Sequence, residues 1–95
     1  MTSTDQKILH TTLEVSGRVQ GVGFRYSAQN QANKLGIKGF VKNRPNGNVI
    51  LEIEGSALQL NAMIRWCRTG PPLARVEEVK EWSGEVKGYD RFQIR

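Results

Sequence analysis

Over Ile8 to Ser16 (ILHTTLEVS) apolar and polar side chains alternate with a period of two, and within eight residues the period becomes that of a helix. Leu9, Leu13 and Val15 share one parity of the first segment, while His10, Thr12, Glu14 and Ser16 share the other, as in a strand with one wet face. From Phe24 to Leu35 (FRYSAQNQANKL), Phe24, Ala28, Ala32 and Leu35 instead line one helical stripe, and Gly36 is placed to cap it. The glycine-rich stretch Arg18 to Gly23 (RVQGVG) joins the two. A strand passing so abruptly into an amphipathic helix must lay that helix back over its own sheet, which leaves few architectures open.

The remainder narrows the choice. Ile37 to Asn43 (IKGFVKN) and Asn48 to Glu54 (NVILEIE) are extended segments around Arg44-Pro45-Asn46-Gly47, whose proline and Asn-Gly pair predict a hairpin turn. Ser56 and Gln59 have the spacing of a capping box ahead of Leu60, Met63, Ile64 and Cys67 at helical intervals, and Gly70-Pro71-Pro72 stops that second helix. Ala74 to Trp82 (ARVEEVKEW) reads as another strand, but Val76 and Val79 have opposite parity, so a bulge or a two-sided strand is required. Phe92 and Ile94 suggest a short closing strand. The order predicts an α+β, ferredoxin-like βαββαβ sandwich: an antiparallel sheet with two helices on one face. Residues 1–7 (MTSTDQK) are expected to form a flexible polar tail, with residues 8–95 as one domain.

Charge and composition remove several functional classes. Fourteen Lys and Arg against nine Asp and Glu give a net charge of +5, which favours anionic partners without naming them. One His and one Cys offer no cluster for zinc or another transition metal, so no metal and no cofactor are expected. Cys67 has no partner for an internal disulfide, and no stretch resembles a secretory leader or a membrane span; a cytoplasmic, soluble protein is the expectation.

Two places carry possible chemistry. Gly21 and Gly23 permit a tight turn immediately before a helix whose first amides lack intrahelical acceptors, and such amides, at the positive end of the helix dipole, can cradle a phosphate. The candidate cradle is Gln20, Gly21, Val22, Gly23, Phe24 and Arg25, with the Arg25 guanidinium able to add two donors in a fork. The spacing matches neither the Walker pattern nor G-x-G-x-x-G, and the same glycines also suit a plain strand-to-helix turn followed by a solvated arginine. Asn43 ends a strand before its turn, where it could satisfy local backbone groups or, given the topology, face the cradle.

These residues carry a family resemblance. Val15 to Arg25, with Gly17, Val19-Gln20-Gly21-Val22 and Phe24-Arg25 in register, and Gly39 to Gly55, with Gly39-Phe40-Val41-Lys42-Asn43, Gly47, Val49 and Gly55, resemble the two signatures of the acylphosphatase family. Gly70-Pro71-Pro72, Arg75-Val76 and Phe92 to Arg95 extend the likeness over most of the chain, so residues 8–95 resemble an acylphosphatase domain. The resemblance implies hydrolysis of the carboxyl–phosphate bond of a small acyl phosphate, with Arg25 and Asn43 catalytic. Arg25 would bind the phosphoryl group, Asn43 would orient the attacking water, and inorganic phosphate would be product and inhibitor. A small chain with one polar sheet face gives no sign of an obligate oligomer, so a metal-independent monomer acting without nucleic acid or membrane is expected.

Two other readings compete. An RNA-recognition module shares the order of elements, and Lys38-Gly39-Phe40 imitates the start of one of its motifs, but on the wrong strand and without the further aromatics that stack on bases. A non-catalytic phosphate-binding or acyl-phosphate-binding domain, including the kind that begins larger carbamoyl-transfer maturation proteins, would use the same cradle without turnover.

Overall fold

The computed structural model describes residues 7–95, so the expected tail lies outside the described residues except for Lys7, which is exposed. Seven elements follow in order: β1 (Leu9–Arg18), α1 (Phe24–Leu35), β2 (Lys38–Asn43), β3 (Val49–Gly55), α2 (Ala57–Thr69), β4 (Arg75–Gly84) and β5 (Phe92–Ile94). They form one five-stranded sheet in the order β4-β1-β3-β2-β5. The first four strands are mutually antiparallel, as expected. The closing strand departs from the pattern: β5 lies parallel to β2, with Gly39 opposite Phe92 and Val41 opposite Ile94, so the sheet is mixed. A strand arriving through the long connection from β4 at the far edge can enter from either end, and nothing in a three-residue segment encodes its direction.

The helices close as their sequences specify. In α1 the left-handed Gly36 donates its N–H to Ala32 and Asn33 carbonyls, while in α2 the capping box forms in full, Gln59 N–H donating to Ser56 Oγ at 3.2 Å and Ser56 N–H to Gln59 Oε1 at 2.8 Å. Both helices cover the face of the sheet that carries Leu13, Val15, Val41, Val49, Leu51 and Ile53, all fully buried. Phe24, Ala28 and Ala32 of α1 and Leu60, Met63, Ile64 and Cys67 of α2 complete that core. Val76 and Val79 both pack against it because β1 and β4 shift register between Ser16 and Gly17: Val79 opposes Val15 and Val76 opposes Gly17, so the bulge returns both valines to one face.

The opposite face is less wet than strand periodicity suggests. His10 and Glu54 are paired across β1 and β3 and are only 4% and 3% exposed. Glu54 accepts the Nδ1–H of His10 at 2.6 Å and the backbone N–H groups of Lys87, Gly88 and Tyr89 at 2.6, 3.0 and 3.2 Å. The Tyr89 hydroxyl donates to Glu52 at 2.6 Å, and its ring meets Phe40 edge-on, with the Arg95 guanidinium 4.2 Å from the Phe40 centroid. Together these contacts lay the segment after β4 across the sheet and deliver it into β5. Burial alone would raise the Glu54 carboxyl, but the amides and His10 outweigh it and hold the group below its ordinary 4.5.

Glu54→Ala leaves His10 and three backbone amides without their buried acceptor and is expected to lower stability by about 3–5 kcal/mol in urea unfolding. The sign of the pH effect follows from the lowered folded value: stabilisation by Glu54 is present above the unfolded carboxyl range and is lost as pH falls through the folded value. The stability difference between wild type and Glu54→Gln should therefore shrink steadily on acidification below about pH 4.5.

Candidate active site

At the end of β1 the chain must turn from the sheet into α1, and it does so through Gly21 (φ 75°) and Gly23 (φ 81°), both in the left-handed region. No side chain caps this helix; Gly23 itself is the N-cap, and its carbonyl accepts the N–H of Ser27 at 3.0 Å. Among the described residues no backbone or side-chain acceptor faces the N–H groups of residues 20–25. Polar groups left in this way at a helix N-terminus are open to an anion.

The loop is fixed from the other side by Gln20. Its side-chain Nε2 donates to the carbonyls of Arg44 and Asn48, both at 2.8 Å, the two residues that close the β2–β3 turn through Arg44 N–H to Asn48 O. One neutral amide thus ties the glycine loop to the hairpin that carries Asn43. Asn43 lies two residues beyond buried Val41 and points to the same side of the sheet as the helices. The local backbone groups that an asparagine here might have satisfied are bonded instead to Gln20 and, through Asn48 N–H, to Asn46 Oδ1 at 3.0 Å. No hydrogen bond to the Asn43 side chain occurs among the described residues.

These elements enclose a pocket of about 220 Å³ lined by Val19, Gly21, Gly23, Phe24, Arg25, Tyr26, Asn43 and Ile94. Of the residues singled out from sequence, Gly21, Gly23, Phe24, Arg25 and Asn43 are brought together there. Gln20 and Val22 do not line it: Gln20 turns its side chain to the hairpin, and Val22 packs into the core at 9% exposure. Three further lining residues, Val19, Tyr26 and Ile94, were not anticipated; Val19 and Tyr26 flank the cradle in sequence, but Ile94 reaches the pocket only because β5 runs parallel to β2.

The electrostatics of the pocket are one-sided. Arg25 is exposed and forms no ion pair among the described residues, and no carboxylate lines the cavity. Glu14, the acidic side chain nearest the hairpin turn in hydrogen-bonding terms, is occupied by Asn48 and Asn46, which lower its carboxyl below the usual range. The nucleophiles that a different chemistry would need lie elsewhere: burial pushes the Cys67 thiol up to about 12, and His10 is enclosed with Glu54 on the other face of the sheet. Among the described residues no group of three or more His, Cys, Asp or Glu side chains is placed to hold a metal.

The family model described as acylphosphatase matches residues 11–94. The chain is 49% identical to an acylphosphatase of Anaeromyxobacter dehalogenans over 82 residues, which covers 85% of this chain and 88% of the relative. The crystal structure of acylphosphatase from Bacillus subtilis superposes with a TM-score of 0.90 at 36% identity, covering 92% of this chain and 98% of that one. An acylphosphatase structure from Coxiella burnetii gives 0.92 at 34% identity, covering 97% and 99%. With both signatures folded around one anion-ready pocket and likeness over nearly the full length of each relative, the chain belongs to the acylphosphatase family.

Proposed function

We propose that the pocket binds the phosphoryl group of a small acyl phosphate and hydrolyses its carboxyl–phosphate bond to a carboxylate and inorganic phosphate. The observation that carries this reading is the convergence of Gly21, Gly23, Phe24, Arg25 and Asn43 on one cavity without a lining carboxylate, the amides of the glycine loop having no acceptor among the described residues. The amides and the Arg25 fork hold the phosphoryl oxygens as charge redistributes, a role that needs fixed donors and no proton transfer. Asn43, being neutral, accepts a hydrogen bond from water and holds it for in-line attack; it positions the nucleophile rather than deprotonating it. The water oxygen forms a bond to phosphorus, the bond from phosphorus to the carboxyl oxygen breaks, and a phosphoryl oxygen receives the proton. The leaving carboxylate has a conjugate-acid pKa of about 4, so it departs without a general acid.

The same reading makes the protein a monomer that works on free metabolites in the cytoplasm, without metal, membrane or nucleic acid. Its support is physical. The face of β3 turned away from the helices carries Ile50, half-buried Glu52 and Glu54, the last covered by the segment at Lys87 to Tyr89, where an RNA-recognition module would present aromatics. The edge strand β4 carries Glu77, Glu78, Lys80 and Glu81, a charged border that opposes pairing with a second sheet.

Arg25→Lys should be nearly as damaging as Arg25→Ala, because a lysine keeps the charge without the planar fork; both should weaken competitive inhibition by inorganic phosphate together with turnover. A lysine variant with near-normal rate and inhibition would remove Arg25 from the site. For Asn43→Ala the expected loss is in kcat, on the order of 100-fold or more, with phosphate affinity largely kept. Lost phosphate affinity with retained kcat would overturn the water-positioning role.

Inorganic phosphate at fixed ionic strength should raise the thermal midpoint of the wild type in a saturable way, fail to do so in Arg25→Ala, and shift the amide resonances of residues 20–25. A chelator should leave both stabilisation and activity as they are. Equal stabilisation of the two proteins, or shifts confined to other residues, would reduce the loop to a structural turn.

A further inference from the structure

The pocket lining has two chemically distinct parts. Gly21, Gly23, Arg25 and Asn43 account for its polar donors, whereas the exposed apolar surface comes from Tyr26, 66% exposed, and Ile94, 39% exposed. Val19 and Phe24 also line it but belong to the core at 1% exposure each, so they floor the cavity without offering surface at its mouth. Tyr26 and Ile94 come from the first turn of α1 and from β5, elements far apart in sequence that are joined along their length by Gln29 Nε2 donating to the Phe92 carbonyl at 3.2 Å.

Ile94 is held by its pairing with Val41 in the sheet, but no hydrogen bond or aromatic pair among the described residues accounts for Tyr26. The Tyr26 ring takes part in none of the aromatic pairs among the described residues, and its hydroxyl has no hydrogen-bond partner there, in contrast to Tyr89, whose hydroxyl is bonded and whose ring is packed. Two exposed apolar side chains beside the polar and cationic groups of Gly21, Gly23, Arg25 and Asn43 are suited to a ligand with an anionic head and an apolar body.

We infer that Tyr26 and Ile94 form the acyl-side wall of the site and set its selectivity, favouring acyl phosphates whose acyl group is aromatic or branched aliphatic over small, hydrated ones. This rests on the phosphoryl group lying against Arg25, as proposed above, which leaves Tyr26 and Ile94 as the exposed apolar part of the lining for the acyl group. Apart from Arg25 the lining has no charged side chain, so an acyl group gains there by apolar contact rather than by ion pairing. The contribution belongs to binding and is realised in KM more than in kcat.

The test compares benzoyl phosphate with acetyl phosphate. Wild type is expected to show a higher kcat/KM for benzoyl phosphate, and Tyr26→Ser and Ile94→Ser should each lower that preference by roughly 5- to 20-fold, through KM, while Tyr26→Phe retains it. A binding measurement free of turnover accompanies it: the phosphonates in which a methylene replaces the bridging oxygen, with benzoyl or acetyl ends, titrated against the same proteins. Parallel changes for both ends in Tyr26→Ser and Ile94→Ser, or equal phosphonate affinities in wild type, would overturn the wall. A wild type that hydrolyses neither acyl phosphate but still prefers the benzoyl phosphonate would sink the hydrolytic reading and leave the wall standing.

Discussion

The antiparallel ladder between β1 and β3, running from Leu9 opposite Gly55 to Val15 opposite Val49, determines where nearly everything else in the molecule sits. Because side chains alternate across it, one register sends Leu13, Val15, Leu51 and Ile53 beneath the helices and, on the other face, sets His10 beside Glu54. A slip of one residue would exchange the two sets, burying carboxylates under α1 and α2. The same register brings the end of β1 level with the β2–β3 turn, within reach of the Gln20 side chain. Site and core therefore share one constraint.

Much of this was legible because the determinants are local. The switch in periodicity located β1 and α1, the Ser56 and Gln59 spacing located the start of α2, and the conflicting parities of Val76 and Val79 left a bulge or a two-sided strand, of which the bulge is found opposite Ser16 and Gly17. Arg25 and the glycines could be singled out because a helix start after a glycine loop has donors to spare wherever it occurs. Asn43 was less certain from sequence alone, since a strand-end asparagine ordinarily bonds its own turn. Here Gln20 and Asn46 fill that need.

What was not legible depends on partners distant in the chain. Nothing near Gln20 indicates that its side chain will bond two carbonyls more than twenty residues away. His10 and Glu54 each look like outward-facing members of an alternating strand, and only the segment at Lys87 to Tyr89, with three amides converging on one carboxylate, makes them buried. The direction of β5, and with it the position of Ile94, is set by that same anchorage and by Arg95 N–H bonding to the Val41 carbonyl.

The glycine loop also bears on how such a catalyst would behave as its product accumulates. Donors that grip the phosphoryl oxygens do so through contacts that substrate and inorganic phosphate make equally well, so on the proposed reading little of the binding energy distinguishes reactant from product. Occupancy is then divided according to the two concentrations. Flux through the site would follow the ratio of acyl phosphate to inorganic phosphate in the surrounding solution rather than the level of acyl phosphate alone, so the enzyme would slow as phosphate builds up without any separate effector site.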